Sequence, residues 1–320
     1  MTVNPITVDA IEAARSRIAG TIFRTPLVKL QVASPAEIYL KLENLQPINS
    51  FKLRGAANAV AMLPSDRRAL GVWTISAGNA GQGVAFAARQ AGVPCTVVTI
   101  ETAPATKVER MRALGAKLVK ASFDECWVAM ERREFPGVDG TFVHPFDDDD
   151  FIAGNATMGL EIVEDLPGVA TVVTAMGGGG LATGVAAGVR SRKPGVKIYV
   201  AEPETAAPAS ASFASGSATA FEGWTATFVD GAGGKSVFPR MWRRMQGLVD
   251  GAVVVTLDEV KRAMRVLAEK SRVIAEGAGA LGVAAALNGK ITGAGPVVCV
   301  VSGGNIELST FCELISSVSS

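Results

Sequence analysis

The chain has 320 residues, and its 31 Lys+Arg nearly balance 30 Asp+Glu, for a net charge of +1. That balance excludes the broad basic field that nucleic acid or an anionic membrane would select. A 48% hydrophobic content suffices for one large α/β unit or two domains.

In chain order, short apolar runs alternate with amphipathic ones. YLKL (39–42) is the first strand candidate. A helix over 53–63, the strand VWTI (72–75), a helix over 80–91 and the strand CTVVTI (95–100) follow. Then come a helix over 105–114, the strand KLV (117–119) and helices over 124–134 and 152–164. The second half gives TVVTA (171–175), a helix over 181–192, IYVA (198–201) and VVV (253–255). Helices over 258–271 and 276–288, VVCVV (297–301) and a helix over 305–316 complete it. Asp258 reads as an N-cap, and Gly92, Gly115 and Gly195 as helix stops. Nearly continuous apolar strands alternating with helices predict an α/β fold. Its open, twisted, mostly parallel sheets are covered by helices on both faces. The two sets of alternations, 72–145 and 171–302, predict two sheets with a cleft between them. The segment 203–250 is rich in Ala, Ser, Gly and Trp with weak periodicity, and reads as irregular structure near a site or interface.

Other features narrow the chemistry. A single histidine, His144, removes mechanisms needing two imidazoles, and most zinc sites with them. No G-x-S-x-G elbow accompanies it. Of the four cysteines, Cys95 and Cys299 lie in strand-like runs as core residues, and none forms a C-x-x-C pair with Cys126 or Cys312. A reducing cytoplasm is the expected location. MTVNP lacks the basic start and apolar run of a secretory leader. No apolar run is long enough to span a bilayer.

Four motifs carry chemistry. MGGGGLATG (176–184) lies between a strand and a helix, where successive backbone N–H groups and a helix N-terminus make an anion cradle. The bland reading is a flexible linker. Gly177-x-Gly179-x-x-Ala182 also satisfies a dinucleotide fingerprint, with Glu202 at the end of the next strand as the ribose acid. The loop alone does not choose between a dinucleotide and a smaller phosphorylated cofactor. SAGNAGQ (76–82) is a second strand–helix junction. Its small residues admit a ligand, Asn79 can donate and accept, and a carboxylate would suit the helix N-terminus. SGGN (302–305) follows the last strand, at the end where parallel sheets bind ligands. It also reads as the N-cap of the final helix. NSFKLRGA (49–56) places Lys52 at a helix start. Such a lysine near a phosphate site can form a Schiff base, though a solvated lysine is the commoner fate.

S-F-K-x-R-G-A, S-x-G-N-x-G-Q, G-G-G-G-L and S-G-G-N, in that order, resemble the fold-type II pyridoxal-phosphate (PLP) enzymes of the threonine dehydratase and serine racemase group. HPFDD (144–148) with IAG (152–154), and Ala201-Glu202-Pro203, extend the resemblance from about residue 10 to the end. It implies the fold of the tryptophan synthase β subunit, with the cofactor in the cleft between domains. A large PLP-binding domain would take residues 1–70 and 149–320, and a small one 71–148. A homodimer is implied as well. Lys52 would hold the aldehyde of pyridoxal 5'-phosphate, with Phe51 beside the ring. Asn79 would bind the phenolic oxygen. Gly177, Gly178, Gly179, Gly180 and Leu181 would hold the phosphate, and Ser302 the pyridine nitrogen. Ser76, Ala77, Gly78, Asn79 and Ala80 would receive the carboxylate of an amino-acid substrate. A hydroxyl at the pyridine nitrogen favours its protonation only weakly, so expelling a β-substituent is the easier exit. The expected reaction is loss of water from a β-hydroxy amino acid, giving a 2-keto acid and ammonia. Racemisation or β-replacement is the near alternative.

Three positions depart from the family pattern. Ala77 stands where the pattern has a second serine, the racemase acid/base, so efficient racemisation is not expected. Ala80 replaces the usual histidine, and the roomier pocket would take a bulky substrate such as phenylserine, unless another side chain fills the gap. Relatives that bind a divalent cation use the acid of the Glu-Pro motif, a carbonyl four residues on and a second acid. Glu202 and Ala206 are present, but the last position is Pro208, which has no ligating side chain, so no metal site is expected. The run Asp147 to Asp150 reads instead as a helix-start turn, its acids favoured by the dipole. Feedback-regulated relatives carry an added C-terminal domain, so the chain reads as a short, catabolic type.

Overall fold

In the computed structural model, which describes residues 3–34, 36–291 and 293–318, α1 (Val8–Ile18) starts at Thr7, whose side chain accepts from Ala10 N. β1 (Leu27–Lys29), β2 (Ile38–Lys41) and α2 (Lys52–Ala61) follow. Next come β3 (Val72–Ile75), α3 (Asn79–Ala91), β4 (Cys95–Ile100) and α4 (Ala105–Ala113). β5 (Lys117–Ala121), α5 (Phe123–Arg132), β6 (Thr141–Phe142) and α6 (Asp149–Asp165) lead to the second half. There β7 (Thr171–Ala175), α7 (Gly180–Arg192), β8 (Lys197–Pro203), α8 (Pro208–Ser215) and α9 (Pro239–Met245) precede β9 (Gly251–Val255). α10 (Leu257–Ser271), α11 (Gly277–Leu287), β10 (Val297–Val300) and α12 (Leu308–Ser316) close the order.

The strands form two sheets. One has four strands in the order β5-β4-β3-β6, all parallel. The other has six in the order β1-β2-β10-β7-β8-β9, parallel except for the antiparallel edge pair β1–β2. Period-two alternation covers both faces of the larger sheet. Val173, Cys299 and Val301 point to Met264 of α10 and Leu281 of α11, whereas Val172, Val298 and Val300 point to Ile162 of α6 and Val185 of α7. The smaller sheet splits likewise. Val72 and Val97 meet Val84 and Met111 on one face, and Trp73, Ile75 and Val98 meet Cys126 and Ala129 on the other. Cys95 and Cys299 are core residues, and all four cysteines are free. Among the described residues no helix is long and apolar enough to cross a membrane.

Where the elements differ from the periodicity, the reasons are local. β1 and β6 span three and two residues, too few to alternate. The segment 203–250 is not wholly irregular. It contains α8 and α9, both started by proline, and an isolated bridge from Ala220 to Ser236. The N-cap of α10 is Thr256 rather than Asp258, because Thr256 and Glu259 close a reciprocal capping box. The final helix starts at Leu308 after Glu307, so Ser302 is not its cap. The acid run behaves as expected. Asp148 caps α6 by accepting from Phe151 N at 2.8 Å, with Asp149 and Asp150 in the first turn.

One crossing sets up the site. A Cβ at Gly154 would fall 2.3 Å from Arg54 O, so α6 passes α2 backbone against backbone. The same region buries Lys41, Glu43, Arg54 and Glu161 together. Both contacts fix the start of α2, which carries Lys52.

Candidate active site

Lys52 is the first residue of α2, at the edge of the cleft between the sheets. Its Nζ donates to Pro145 O at 2.6 Å and lies 5.2 Å and 5.5 Å from the Phe51 and Phe151 ring centres. Among the described residues no carboxylate pairs with it. Burial therefore acts alone and pushes the ammonium down to about 8. Phe51 N donates to Ser302 O at 3.0 Å, and Ser50 bridges Gly303, so the lysine turn is stitched to the end of β10.

The glycine loop lies beside the same turn. A Cβ at Gly178 would fall 2.2 Å from the Phe146 ring, and one at Gly180 2.6 Å from Phe146 O. Pro145 and Phe146 thus touch the lysine on one side and the loop on the other. Gly179 adopts φ +89°, a left-handed conformation that favours glycine, and caps α7. In the first turn of α7 the N–H groups of Gly180, Leu181 and Ala182 have no intrahelical acceptor. That is a helix N-terminus with its donors open, the arrangement a phosphate needs.

Ser76, Ala77, Gly78, Asn79 and Ala80 bridge β3 and α3. The Ser76 hydroxyl accepts from Gly78 N at 3.0 Å, which tightens the turn. Asn79 is held from two sides. Its Nδ2 donates to Glu276 Oε1 at 2.7 Å, and its Oδ1 accepts from Asn305 Nδ2 at 2.8 Å. Glu276 starts α11 and Asn305 follows β10, so these bonds cross the cleft between the two sheets. Ser302, at the C-terminal end of β10, is buried. The four sequence motifs therefore converge on one place. A carbonyl compound bearing a phosphate fits it, with an amine for the carbonyl and open N–H groups for the phosphate.

The cleft mouth holds about 650 Å³ and is lined by Pro104, Lys107, Phe228, Asp230, Glu276 and Ile306, among others. Three polar contacts span it from α4. Thr106 meets Glu307, Lys107 meets Asp230, and Arg110 Nη1 donates to Asn305 Oδ1 at 2.6 Å. The sequence reading gave no role to Glu276, Asn305 or Pro145. Asn305 closes the SGGN motif and Pro145 lies in HPFDD, so both were within quoted motifs, whereas Glu276 left only the signal of a lone acid inside the apolar run VIAEGAGA.

Glu202 is engaged elsewhere. Its two oxygens accept from Ala209 N and Ser210 N at 2.8 Å each, so it caps α8 and leaves no free acid for a ribose. His144 is also structural. Its Nδ1 accepts from Asp147 N at 3.0 Å, and its ring packs edge-on against Phe142, Phe146 and Phe238.

Comparison with known proteins agrees with this geometry. The pattern of the family described as "Pyridoxal-phosphate dependent enzyme" matches residues 18–303. The chain is 41% identical over 317 residues to an L-threonine ammonia-lyase of Thermotoga maritima, covering 97% of this chain and 78% of that protein. It is 37% identical over 334 positions to a catabolic L-threonine dehydratase of Staphylococcus aureus, covering 98% and 96%. Among solved structures, serine racemase from maize superposes with a TM-score of 0.88 at 31% identity, over 98% of each chain. The processed form of threonine deaminase isoform 2 from Solanum lycopersicum superposes with a TM-score of 0.84 at 30% identity, over 100% of this chain and 97% of that one. With its motifs assembled in one cleft and its length matched almost throughout, this chain belongs to the pyridoxal-phosphate dependent enzyme family.

Proposed function

We propose that the protein is a dehydratase that removes water from an L-β-hydroxy amino acid, threonine or serine, and yields a 2-keto acid and ammonia. The observation that carries this reading is the half-buried Lys52, whose amine desolvation pushes down to about 8, beside an open helix N-terminus. The relatives named for threonine ammonia-lyase and dehydratase activity support it. In this reading residues 1–70 and 149–320 form the cofactor-holding domain and 71–148 the smaller one.

Bound in this cleft, pyridoxal phosphate supplies an aldehyde that bonds to an amine and a ring that withdraws electrons from the substrate α-carbon. Lys52 would hold the aldehyde, and Phe51 would pack beside the ring. Backbone N–H groups of Gly177, Gly178, Gly179, Gly180 and Leu181 would hold the phosphate. Asn79 would donate to the phenolic oxygen, and the Ser302 hydroxyl would meet the pyridine nitrogen. Ser76 to Ala80, at the start of α3, bind the substrate carboxylate. Lys52 Nζ, as a free neutral amine, would accept the substrate α-proton as general base. The β-hydroxyl would take up a proton, matching the one Lys52 removes from the α-carbon, and leave as water; one water would then hydrolyse the enamine product, so the overall change is loss of ammonia with no net water and no oxidation or reduction.

Two side chains refine the specificity. Ala77 carries no proton to deliver to the opposite face of the α-carbon, which supports elimination over racemisation. Ala80 is only 4% exposed. That burial supports neighbouring groups packing against its methyl rather than an open space beside the substrate. That weighs against the bulky phenylserine and favours a small β-substituent. The test is ammonia release from L-threonine, L-serine and L-phenylserine. The highest kcat/KM is expected for threonine or serine. A preference for phenylserine would reverse the size argument, and no ammonia from any of them would defeat the function.

Divalent metal is not part of the reading. Glu202 is occupied by two backbone donors, and Pro208, at the first turn of α8, offers no side-chain ligand. The rate is expected to be the same after dialysis against EDTA and after adding back magnesium. A loss with EDTA that magnesium restores would show that a cation is required.

A further inference from the structure

Glu276 has no role in the reading above, yet it is among the most constrained groups in the cleft. It is 3% exposed and stands at the N-cap of α11. Its Oε1 accepts from Asn79 Nδ2 at 2.7 Å, whereas its Oε2 has no hydrogen-bond partner among the described residues. A Cβ at Gly303 would lie 2.2 Å from Oε1, so the backbone after Ser302 is shaped around this carboxyl. Burial first, then Asp230, pushes the carboxyl up to about 7, against an opposing pull from Lys107, the Asn79 bond and the Asn305 backbone N–H. Lys107, from α4, and Asp230 are themselves paired, and Arg110, also on α4, reaches Asn305.

The geometry fixes what Asn79 can do. A primary amide has two N–H bonds and one carbonyl oxygen. Glu276 takes one N–H, and Asn305 donates to the oxygen. Asn305 cannot readily turn over, because its Nδ2 also donates to Ile48 O at 2.9 Å and its Oδ1 receives Arg110. Flipping Asn79 would set its oxygen against the Glu276 carboxyl and its nitrogen against the Asn305 nitrogen. One N–H remains, and it can only donate. An acid thus stands directly behind the amide, with its second oxygen free to carry or release a proton.

We infer that Glu276 is a positioning residue for the reaction. It fixes the Asn79 amide as a donor toward the cofactor's phenolic oxygen, and its protonation state tunes how strongly that oxygen's negative charge is held. The inference rests on the proposed assignment of Asn79 and Lys52. It adds a carboxyl whose proton is sensed through one intervening amide.

The experiment is visible absorption of the cofactor-loaded protein from pH 5.5 to 9, with wild type, Glu276→Gln, Asn79→Ala and the double variant. Wild type is expected to show a spectral midpoint near 7. Glu276→Gln should keep cofactor and a borohydride label on Lys52 but lose that midpoint, with kcat falling more than KM changes. In the Asn79→Ala background, Glu276→Gln should change nothing further. If Glu276→Gln does not fold, Asn79→Ala alone decides, because it should erase the same midpoint with Glu276 in place. A coloured, Lys52-labelled variant whose midpoint matches wild type overturns the role of Glu276. A colourless wild type with no label on Lys52 overturns the underlying site assignment instead.

Discussion

Lys52→Ala is expected to lower ammonia release by at least ~10³-fold, because it removes both the covalent anchor and the general base. The fold should survive, since the substitution relieves the burial of an amine and leaves only Pro145 O without its donor. Circular dichroism and thermal melting would check that. The variant should also lose the borohydride-reducible absorbance, and a small primary amine in the buffer should restore part of the rate. Wild-type pH dependence follows from the same group. Once free of the aldehyde, Lys52 can take a proton only as the neutral amine, so the rate should rise with pH and level off above about 8. At pH 7 roughly one lysine in ten is then neutral, against about one in three thousand at the ordinary value of 10.5. Normal turnover by Lys52→Ala would end the assignment, and a flat profile from pH 6 to 9 would show that a Lys52 amine lowered to about 8 does not govern the rate.

Arg54→Met is expected to have the largest effect on stability. The guanidinium is fully buried between two carboxylates. Its Nε and Nη2 reach Glu43 at 2.8 Å each, and its Nη1 and Nη2 reach Glu161 at 2.7 and 2.8 Å. Lys41 Nζ adds a bond to Glu161 Oε2 at 2.6 Å, and Thr25 Oγ1 one to Glu43 Oε1 at 2.6 Å. Two cations therefore balance two acids. Removing Arg54 leaves two buried carboxylates facing one lysine, at a cost of about 3–5 kcal/mol. For a chain of 320 residues that corresponds to a Tm lower by about 5–8 °C. Arg54→Lys should recover only part, because an ammonium cannot fork to both acids. The sign with pH is defined. Burial pushes the Glu43 carboxyl up, but Arg54 more than reverses this and leaves it below its ordinary value. Stability from that pair is therefore present above the ordinary carboxylate range and is lost as pH falls through the lowered one. An unchanged melting temperature in Arg54→Met would show that the four charges do not hold the fold.

The sequence discloses the parts of this site that local physics determines. Lys52, Asn79, the Gly177–Gly180 loop and Ser302 each sit at a junction between an apolar strand and a helix, where small residues and helix N-termini leave a trace in the letters. Two mostly parallel sheets were legible for the same reason, since β3, β4, β7 and β10 are short, apolar and bounded. The roles of Glu276, Asn305, Arg110 and the Pro145 carbonyl were not, although Asn305 and Pro145 lie within SGGN and HPFDD, because each role arises only when distant segments meet. Asn79 and Glu276 are 197 positions apart. β6, with two residues, offers no periodicity, and α8 is built of small residues that bear no apolar stripe. Ala80 was legible as a departure. Whether a gap lay beside it depended on neighbours brought there by the fold.

The order of strands in the larger sheet governs how the protein comes into being. β2 pairs with β10, so residues 38–41 wait for residues 297–300 to reach them. The four-stranded sheet draws only on residues 72–142 and can assemble while much of the chain is still on the ribosome. The larger sheet gains β10, which lies between β2 and β7, only after all its other strands have been made, and its long loop closures are expected to slow its assembly relative to the smaller sheet. Lys52 and Ser302 are made at opposite ends of that interval. During translation Lys52, the proposed cofactor anchor, therefore emerges long before its cleft exists, and loading with cofactor is expected only after β10 has been made.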